Sequence, residues 1–232
     1  MQTRSPFVAD DLAHAADTIA EGQVIGFFFN GAYALLGDVD SADAAATIFE
    51  LKRRPTSQTL SLVADPRHWA EFVDLDSPAL HRFPLPVAAG LHERLHALGV
   101  VYPADPAGAP GALVQDGTIL NVWTRYAPLI ELQQQCRARG SRALLGASAN
   151  LSGEPTYVSV RQMSVFDGRL GAVFEPDDRV PAARQNSVSL VDLSGDAATL
   201  LREGNTTEAE VRAALHDAGL GPMEVSPEIR RL

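Results

Sequence analysis

The chain has 232 residues, 46% of them hydrophobic and 21% charged, a composition that suits a folded globular core and excludes a disordered chain. Its formal net charge of −10 disfavours nucleic-acid binding as the main task, and its single cysteine, Cys136, excludes an intramolecular disulfide or a multi-cysteine zinc ribbon. The most apolar stretch, Val24 to Phe29, is broken by Asn30 and Gly31, far short of the roughly 20 residues of a membrane span.

No basic start followed by an apolar run marks a signal peptide, so the expected compartment is the cytoplasm. In chain order, Asp10 and Asp11 are expected to cap a helix from Leu12 to Glu21 that stops at Gly22. The apolar run from Gln23 to Phe29 then reads as a buried strand. Ser41 opens a second helix, with Ala45, Ile48, Phe49 and Lys52 at helical spacing and Pro55 closing it, and Thr59 to Ala64 reads as the next strand.

Further strands are expected at Thr118 to Trp123 and Arg142 to Ala147, separated by a helix from Pro128 to Arg139 that ends at Gly140. Thr207 and Glu210 form a capping box for a last helix ending near Gly219, after which the final dozen residues read as a loose tail. Alternating helices and strands predict an α/β chain. The loop-rich stretch from Pro103 to Gly111 is too short for a linker, so one domain over 1–219 with a tail at 220–232 is the expected organisation.

Two polar clusters interrupt this pattern. Ser148-Ala149-Asn150-Leu151-Ser152-Gly153 follows an apolar strand, where α/β folds expose ligand sites, and its hydroxyls, amide and glycine suit phosphate oxygens, although the same residues also make ordinary turns. Lys52-Arg53-Arg54-Pro55 places cations at a helix end, where the helix dipole already favours them.

Together and in this order, the clusters resemble the YrdC-like (threonylcarbamoyl-AMP synthase) family, whose hallmarks are a Lys-x-Arg and a later Ser-Ala-Asn-x-Ser-Gly. The likeness runs from about Gly22 to Leu215, with Arg125 in place of the family's arginine after a strand and Leu201-Arg202-Glu203-Gly204 similar to its late turn. The resemblance implies a single YrdC-like α/β domain: a twisted mixed sheet flanked by helices, with a concave nucleotide-binding cavity. It also implies condensation of threonine, bicarbonate and ATP into threonylcarbamoyl-AMP and pyrophosphate, a step toward a modified adenosine in tRNA.

On that resemblance Lys52 and Arg54 are the candidate catalytic residues, with Mg²⁺ beside them. Ser148, Asn150, Arg125, Arg202 and, in the segment Gln185 to Ser189, Ser187 are the candidate nucleotide and phosphate ligands. An anionic carbamate attacking the α-phosphate needs such cations to offset like-charge repulsion.

Other hallmarks are altered. The family's Pro-Thr-Asp-Thr-x-Tyr-Gly-Leu falls on Phe28 to Leu35, keeping only Tyr33 and Leu35, and its Trp-Pro-Gly-Pro-x-Thr falls on Phe83 to Ala88, keeping the prolines. Both changes strip hydroxyls from the amino-acid side, so Phe29, Asn30 and Tyr33 are read as a divergent acceptor pocket for threonine or an altered amino acid. Two alternatives stand beside the enzyme: a non-catalytic relative binding nucleotide or RNA, double-stranded RNA included, and a zinc hydrolase. The last rests on His92-Glu93-Arg94-Leu95-His96, which on a helix would set two imidazoles on one face, though the position of a third ligand holds Tyr102.

Overall fold

The computed structural model describes residues 3–29, 31–95, 97–175 and 187–231. In chain order they form β1 (Thr3–Arg4), α1 (Ala9–Ala20), β2 (Ile25–Phe29), β3 (Ala32–Asp38), α2 (Ala42–Lys52), β4 (Ser61–Val63), α3 (Pro78–Arg82) and α4 (Leu85–Arg94). Then follow β5 (Ala97–Pro103), β6 (Val114–Gln115), β7 (Thr118–Thr124), α5 (Ala127–Ala138), β8 (Leu144–Ser148), α6 (Val160–Met163) and β9 (Ala172–Phe174). The chain closes with β10 (Ser189–Asp192), β11 (Ala198–Glu203), α7 (Glu208–Asp217) and β12 (Met223–Arg231). Among the described residues no helix is long and apolar enough to cross a membrane.

The chain divides into two compact units, Met1–Val63 with Tyr126–Asn186, and Ala64–Arg125 with Ser187–Leu232. In the first, the strand order is β1-β9-β2-β3-β8-β4. The pairs β1/β9 and β2/β9 are parallel, and β2/β3, β3/β8 and β4/β8 antiparallel, so the sheet is mixed. Every residue of β2 is buried, which is why its sequence is an unbroken apolar run rather than an alternation. On the face of β3 that carries Gly37, a Cβ would stand 2.8 Å from that of Ala44 in α2, so glycine sets how closely this helix lies on the sheet.

The ends of α2 are made as its sequence suggests: the Ser41 hydroxyl accepts from the Ala44 amide at 3.1 Å. Helix α1 stops before a left-handed Gly22 as expected, but its start differs. Its N-cap is Val8, without a side-chain cap, and Asp10 and Asp11 lie inside the first turn. Asp11 is drawn elsewhere, accepting from Arg4 at 2.9 Å and from the Ser5 amide at 3.1 Å, and these bonds hold its carboxyl below the usual range.

In the second unit the order is β7-β5-β10-β11-β12, with β6 on β7. Antiparallel β5/β7 and β10/β11 alternate with parallel β5/β10 and β11/β12, again a mixed sheet. Its core holds Trp69, whose indole donates to the Ala64 carbonyl at 3.2 Å, and Tyr102, which donates to the Phe83 carbonyl at 2.8 Å. The box of Thr207 and Glu210 caps α7 in both directions, at 3.3 and 2.8 Å. Residues 223–231 are not a loose tail but strand β12, paired along β11 from Ala198↔Met223 to Glu203↔Arg231. Short polar residues around Pro227 hide that strand from a reading of apolar runs.

Candidate functional site

The first unit gathers four of the candidate residues. Lys52 ends α2, is 3% exposed, and donates to the carbonyls of Ser148 and Asn150 and, at 2.7 Å, to Oδ1 of Asn150. Its three ammonium protons therefore meet three oxygens of the loop after β8. Burial first, and the charge of Arg54 second, pull its pKa from 10.5 down to about 8. The return bond is made by the Ser152 amide, which donates to the Lys52 carbonyl at 2.8 Å and satisfies an open end of the helix.

Asn150 is saturated. Its Oδ1 accepts from Lys52 and, at 2.8 Å, from the Ser148 hydroxyl, while its Nδ2 donates to the carbonyls of Leu151 at 3.0 Å and Glu154 at 2.7 Å. An amide with all four bonds made shapes a loop rather than offering itself to a ligand. What the loop does offer is the exposed Ser148 and Ser152. Gly153 takes φ +88°, a left-handed turn that glycine makes without strain.

Arg54 reaches the same region through an uncommon backbone step. Arg53 is left-handed at φ 50°, ψ 41°, which ends α2 and redirects the chain. Burial lowers the Arg54 pKa, and its Nε is buried with no hydrogen-bond partner among the described residues. A half-buried guanidinium with an uncommitted N–H suits an anion.

The acceptor candidates separate. Phe28 pairs with Tyr33 and Phe29 with Ala32 across β2 and β3. Opposed residues share a face and neighbours alternate, so Tyr33 lies with Phe28, ring centroids 5.2 Å apart, and Phe29 lies on the other face. Ser148 pairs with Ala34, placing Phe29, Ala32, Ala34 and Ser148 on one face. Phe27 and Phe28, 0% and 1% exposed, fill the core. The Tyr33 hydroxyl is buried without a partner among the described residues, and burial followed by the Glu175 carboxylate raises its pKa. Asn30 lies outside the described residues.

The remaining candidates belong to the second unit. Arg125 follows β7 and is exposed. Arg202 donates twice to the Val188 carbonyl, at 3.0 and 2.8 Å, and the Ser187 carbonyl accepts from Asn205 at 2.9 Å. Ser189, 0% exposed, accepts from the amides of Gly204 and Thr206 and donates to the Thr206 carbonyl. Gln185 and Asn186 lie outside the described residues.

The helix that the zinc motif needs stops inside it. Helix α4 ends at Arg94, Leu95 is extended at φ −104°, ψ 147°, and Tyr102 is a bonded core residue. His96 lies outside the described residues.

Sequence reasoning missed Tyr157 and Glu154. The Tyr157 amide donates to the Ala149 carbonyl and its carbonyl accepts from Tyr33, both at 2.8 Å, and its hydroxyl donates to Glu154 Oε2 at 2.7 Å. No periodicity marks a tyrosine in a Pro-Thr-Tyr-Val stretch as a clamp.

A family model named Sua5/YciO/YrdC and described as "Telomere recombination" matches residues 17–204. The threonylcarbamoyl-AMP synthase of Bacillus subtilis is 25% identical over 219 residues, covering 92% of this chain and 58% of that protein. That of Xanthomonas campestris pv. campestris strain B100 is 28% identical over 189 residues, covering 72% of this chain and 90% of that protein. The crystal structure of P. abyssi Sua5 complexed with L-threonine superimposes with TM-score 0.76 at 20% identity, over 93% of this chain and 59% of that one. The chain thus spans under two thirds of the Bacillus and P. abyssi proteins.

Proposed function

Since this chain belongs to the Sua5/YciO/YrdC family, whose model covers residues 17–204, we propose that it is a threonylcarbamoyl-AMP synthase-like transferase. In this reading it binds ATP and joins the carbamate of an amino acid to the adenylate, releasing pyrophosphate. The observation that carries the reading is Lys52, which holds the Ser148–Gly153 loop and feels the charge of Arg54, whose buried Nε is uncommitted among the described residues, beside a loop that exposes Ser148 and Ser152.

The division of labour follows from the bonds. Lys52 holds the loop and lends it positive charge, and Arg54 is the cation with a donor to spare. A carbamate oxygen attacks the α-phosphorus as the bond to the β-phosphate oxygen breaks, so negative charge builds on the phosphates and on the leaving pyrophosphate. Arg54 and the Ser152 hydroxyl lower that barrier by meeting the charge as it forms, and Ser148 joins them on turning its hydroxyl from Asn150 Oδ1 to a phosphate oxygen. Among the described residues no three His, Cys, Asp or Glu side chains gather to hold an ion, and Mg²⁺ is assigned to travel with the ATP phosphates. Arg125, Ser187 and Arg202, which the resemblance names for the nucleotide, lie in the second unit, where Arg202 donates twice to the Val188 carbonyl, and they are not part of this reading of the first unit.

The acceptor is threonine or an amino acid with a less polar side chain, supported by Phe29, Ala32 and Ala34 sharing the Ser148 face. A tRNA pathway is what the family resemblance implies; direct RNA binding is opposed by the net charge of −10. The test is a thermal-shift titration with ATP and Mg²⁺, with and without bicarbonate and threonine, followed by a pyrophosphate assay. Stabilisation by ATP with release dependent on an amino acid is expected. No response to ATP overturns the reading, and binding without release under any amino acid reduces the protein to a nucleotide-binding relative.

A further inference from the structure

Three features beyond the family's motifs compete here. Gln133 in α5 is 6% exposed with both amide atoms unbonded among the described residues, but nothing points to what it would bind. Exposed Phe7 and Val8 adjoin one another without an identifiable occupant. The third feature is Tyr157, and its bonds lead to a definite role.

The Ser148–Gly153 loop is held on one side by Lys52 and from within by Asn150. Its outer side meets Tyr157. Tyr157 is 6% exposed, and its main chain bonds to both Ala149 and Tyr33, fixing it beside the end of β8 and the start of β3. Its ring lies against the fully buried Phe166, centroids 5.9 Å apart, so the phenol cannot swing away without leaving the core. From that fixed place the hydroxyl accepts from the Leu151 amide at 3.4 Å, in the middle of the loop, and donates to Glu154 Oε2. Glu154 in turn offers its carbonyl to Asn150 Nδ2. The loop is thereby closed into a ring of bonds, Asn150 to Glu154, Tyr157, Leu151 and back to Asn150, with Lys52 fastened to it at Asn150.

We propose that Tyr157 is a positioning residue for the phosphate-binding loop: its hydroxyl, oriented by Glu154, holds the Leu151 amide so that the Ser148 and Ser152 hydroxyls face an anionic ligand. The role rests on the nucleotide reading above. A second effect follows from the same bond. The Glu154 carboxylate, an anion next to a loop meant for phosphate, is tethered to the phenol, which fixes where its charge stands. Freed, it would repel the ligand that the loop is shaped to take.

Three variants test this: Tyr157→Phe, which keeps the ring and loses the hydroxyl, Glu154→Ala, and the two combined. Amide hydrogen exchange at Leu151 reports on the loop without any ligand, and ATP titration with Mg²⁺ reports on its use. In Tyr157→Phe the Leu151 amide is expected to exchange about tenfold faster and ATP to bind about fivefold more weakly, with the melting temperature of the free protein nearly unchanged. The double variant is expected to bind ATP at least as well as Tyr157→Phe, because Glu154→Ala removes the carboxylate that loss of the hydroxyl sets free. Unchanged exchange at Leu151, or unchanged ATP affinity in a protein whose wild type binds ATP, overturns the proposal. A wild type that ignores ATP sinks the nucleotide reading instead, and the exchange data then decide by themselves whether the hydroxyl holds the loop.

Discussion

Two segments of this protein look alike in sequence and differ in what they can do. Ser148–Gly153 in the first unit and, in the second, the turn Arg202–Thr206 with Ser187–Ser189 beside it both combine serines, an asparagine and a glycine, and both are gripped by a cation that donates to main-chain carbonyls: Lys52 to Ser148 and Asn150, Arg202 to Val188. In the second segment the key hydroxyl, Ser189, is fully buried and spent on Gly204 and Thr206. In the first, the amide of Asn150 is spent while Ser148 and Ser152 remain exposed. Composition announces a polar turn in both places, and burial decides which turn keeps its serines within reach of a ligand.

Gly204→Ala tests this most severely. An added Cβ would collide with the Ser187 carbonyl oxygen and crowd the Val188 carbonyl carbon, both backbone atoms of a packed turn, so no side-chain rotation relieves it. A loss of about 3 kcal/mol in denaturant unfolding is expected. A variant as stable as wild type would show that the second segment is loose, and the contrast between the two turns would fail.

Lys52→Met comes next. Methionine fills most of the stem's volume but takes the lysine's donors from the Ser148 and Asn150 carbonyls and leaves Asn150 Oδ1 with the Ser148 hydroxyl. Relief from burying an ammonium offsets part of that cost, so a net loss of about 2 kcal/mol is expected, together with loss of the ATP-induced shift. Retained ATP binding would mean that the loop keeps its shape without the lysine.

The pH dependence sharpens the same point. Unfolded, Lys52 carries its proton to its ordinary 10.5; folded, it releases it near 8. Between those values the unfolded chain binds more protons, so this residue's contribution to folding stability rises with pH across that window. The neutral amine, however, has two N–H groups for three oxygens, and it no longer carries charge toward phosphate. The ATP-induced shift is therefore expected to fall as pH passes through about 8 while the ligand-free protein does not weaken from this group. A flat ATP response from pH 7 to 9.5 would remove Lys52 from nucleotide binding.

Much of the architecture was legible where local chemistry is strong. The Ser41 cap, the Thr207–Glu210 box, the β2 run and the strand at 118–124 all announce themselves by period or by cap. Strand β12 did not, because a parallel edge strand owes its place to β11 rather than to its own residues. The site shows the same limit. Lys52, Arg54, Ser148 and Asn150 were named from motif order, yet that Asn150 turns inward and that Phe29 and Tyr33 point to opposite faces depends on register, which a one-residue slip reverses. Tyr157 was invisible because its role is set by Phe166, Leu151 and Glu154 together.

The mildest test returns to the first loop. Gly153 is left-handed at φ +88°, but an added Cβ would meet nothing within 4 Å, so Gly153→Ala pays only for backbone strain. About 1 kcal/mol is expected in denaturant unfolding, against about 3 for Gly204→Ala, the same substitution in the other turn. Because the strain falls on the loop and not on the core, part of it can be shed by letting 148–153 relax. ATP affinity is then expected to drop even where the melting temperature barely moves, whereas Gly204→Ala should lower stability first. If Gly153→Ala proved as destabilising as Gly204→Ala, the first loop would be as tightly packed as the second, and its exposed serines would no longer mark it as the one built to receive a ligand.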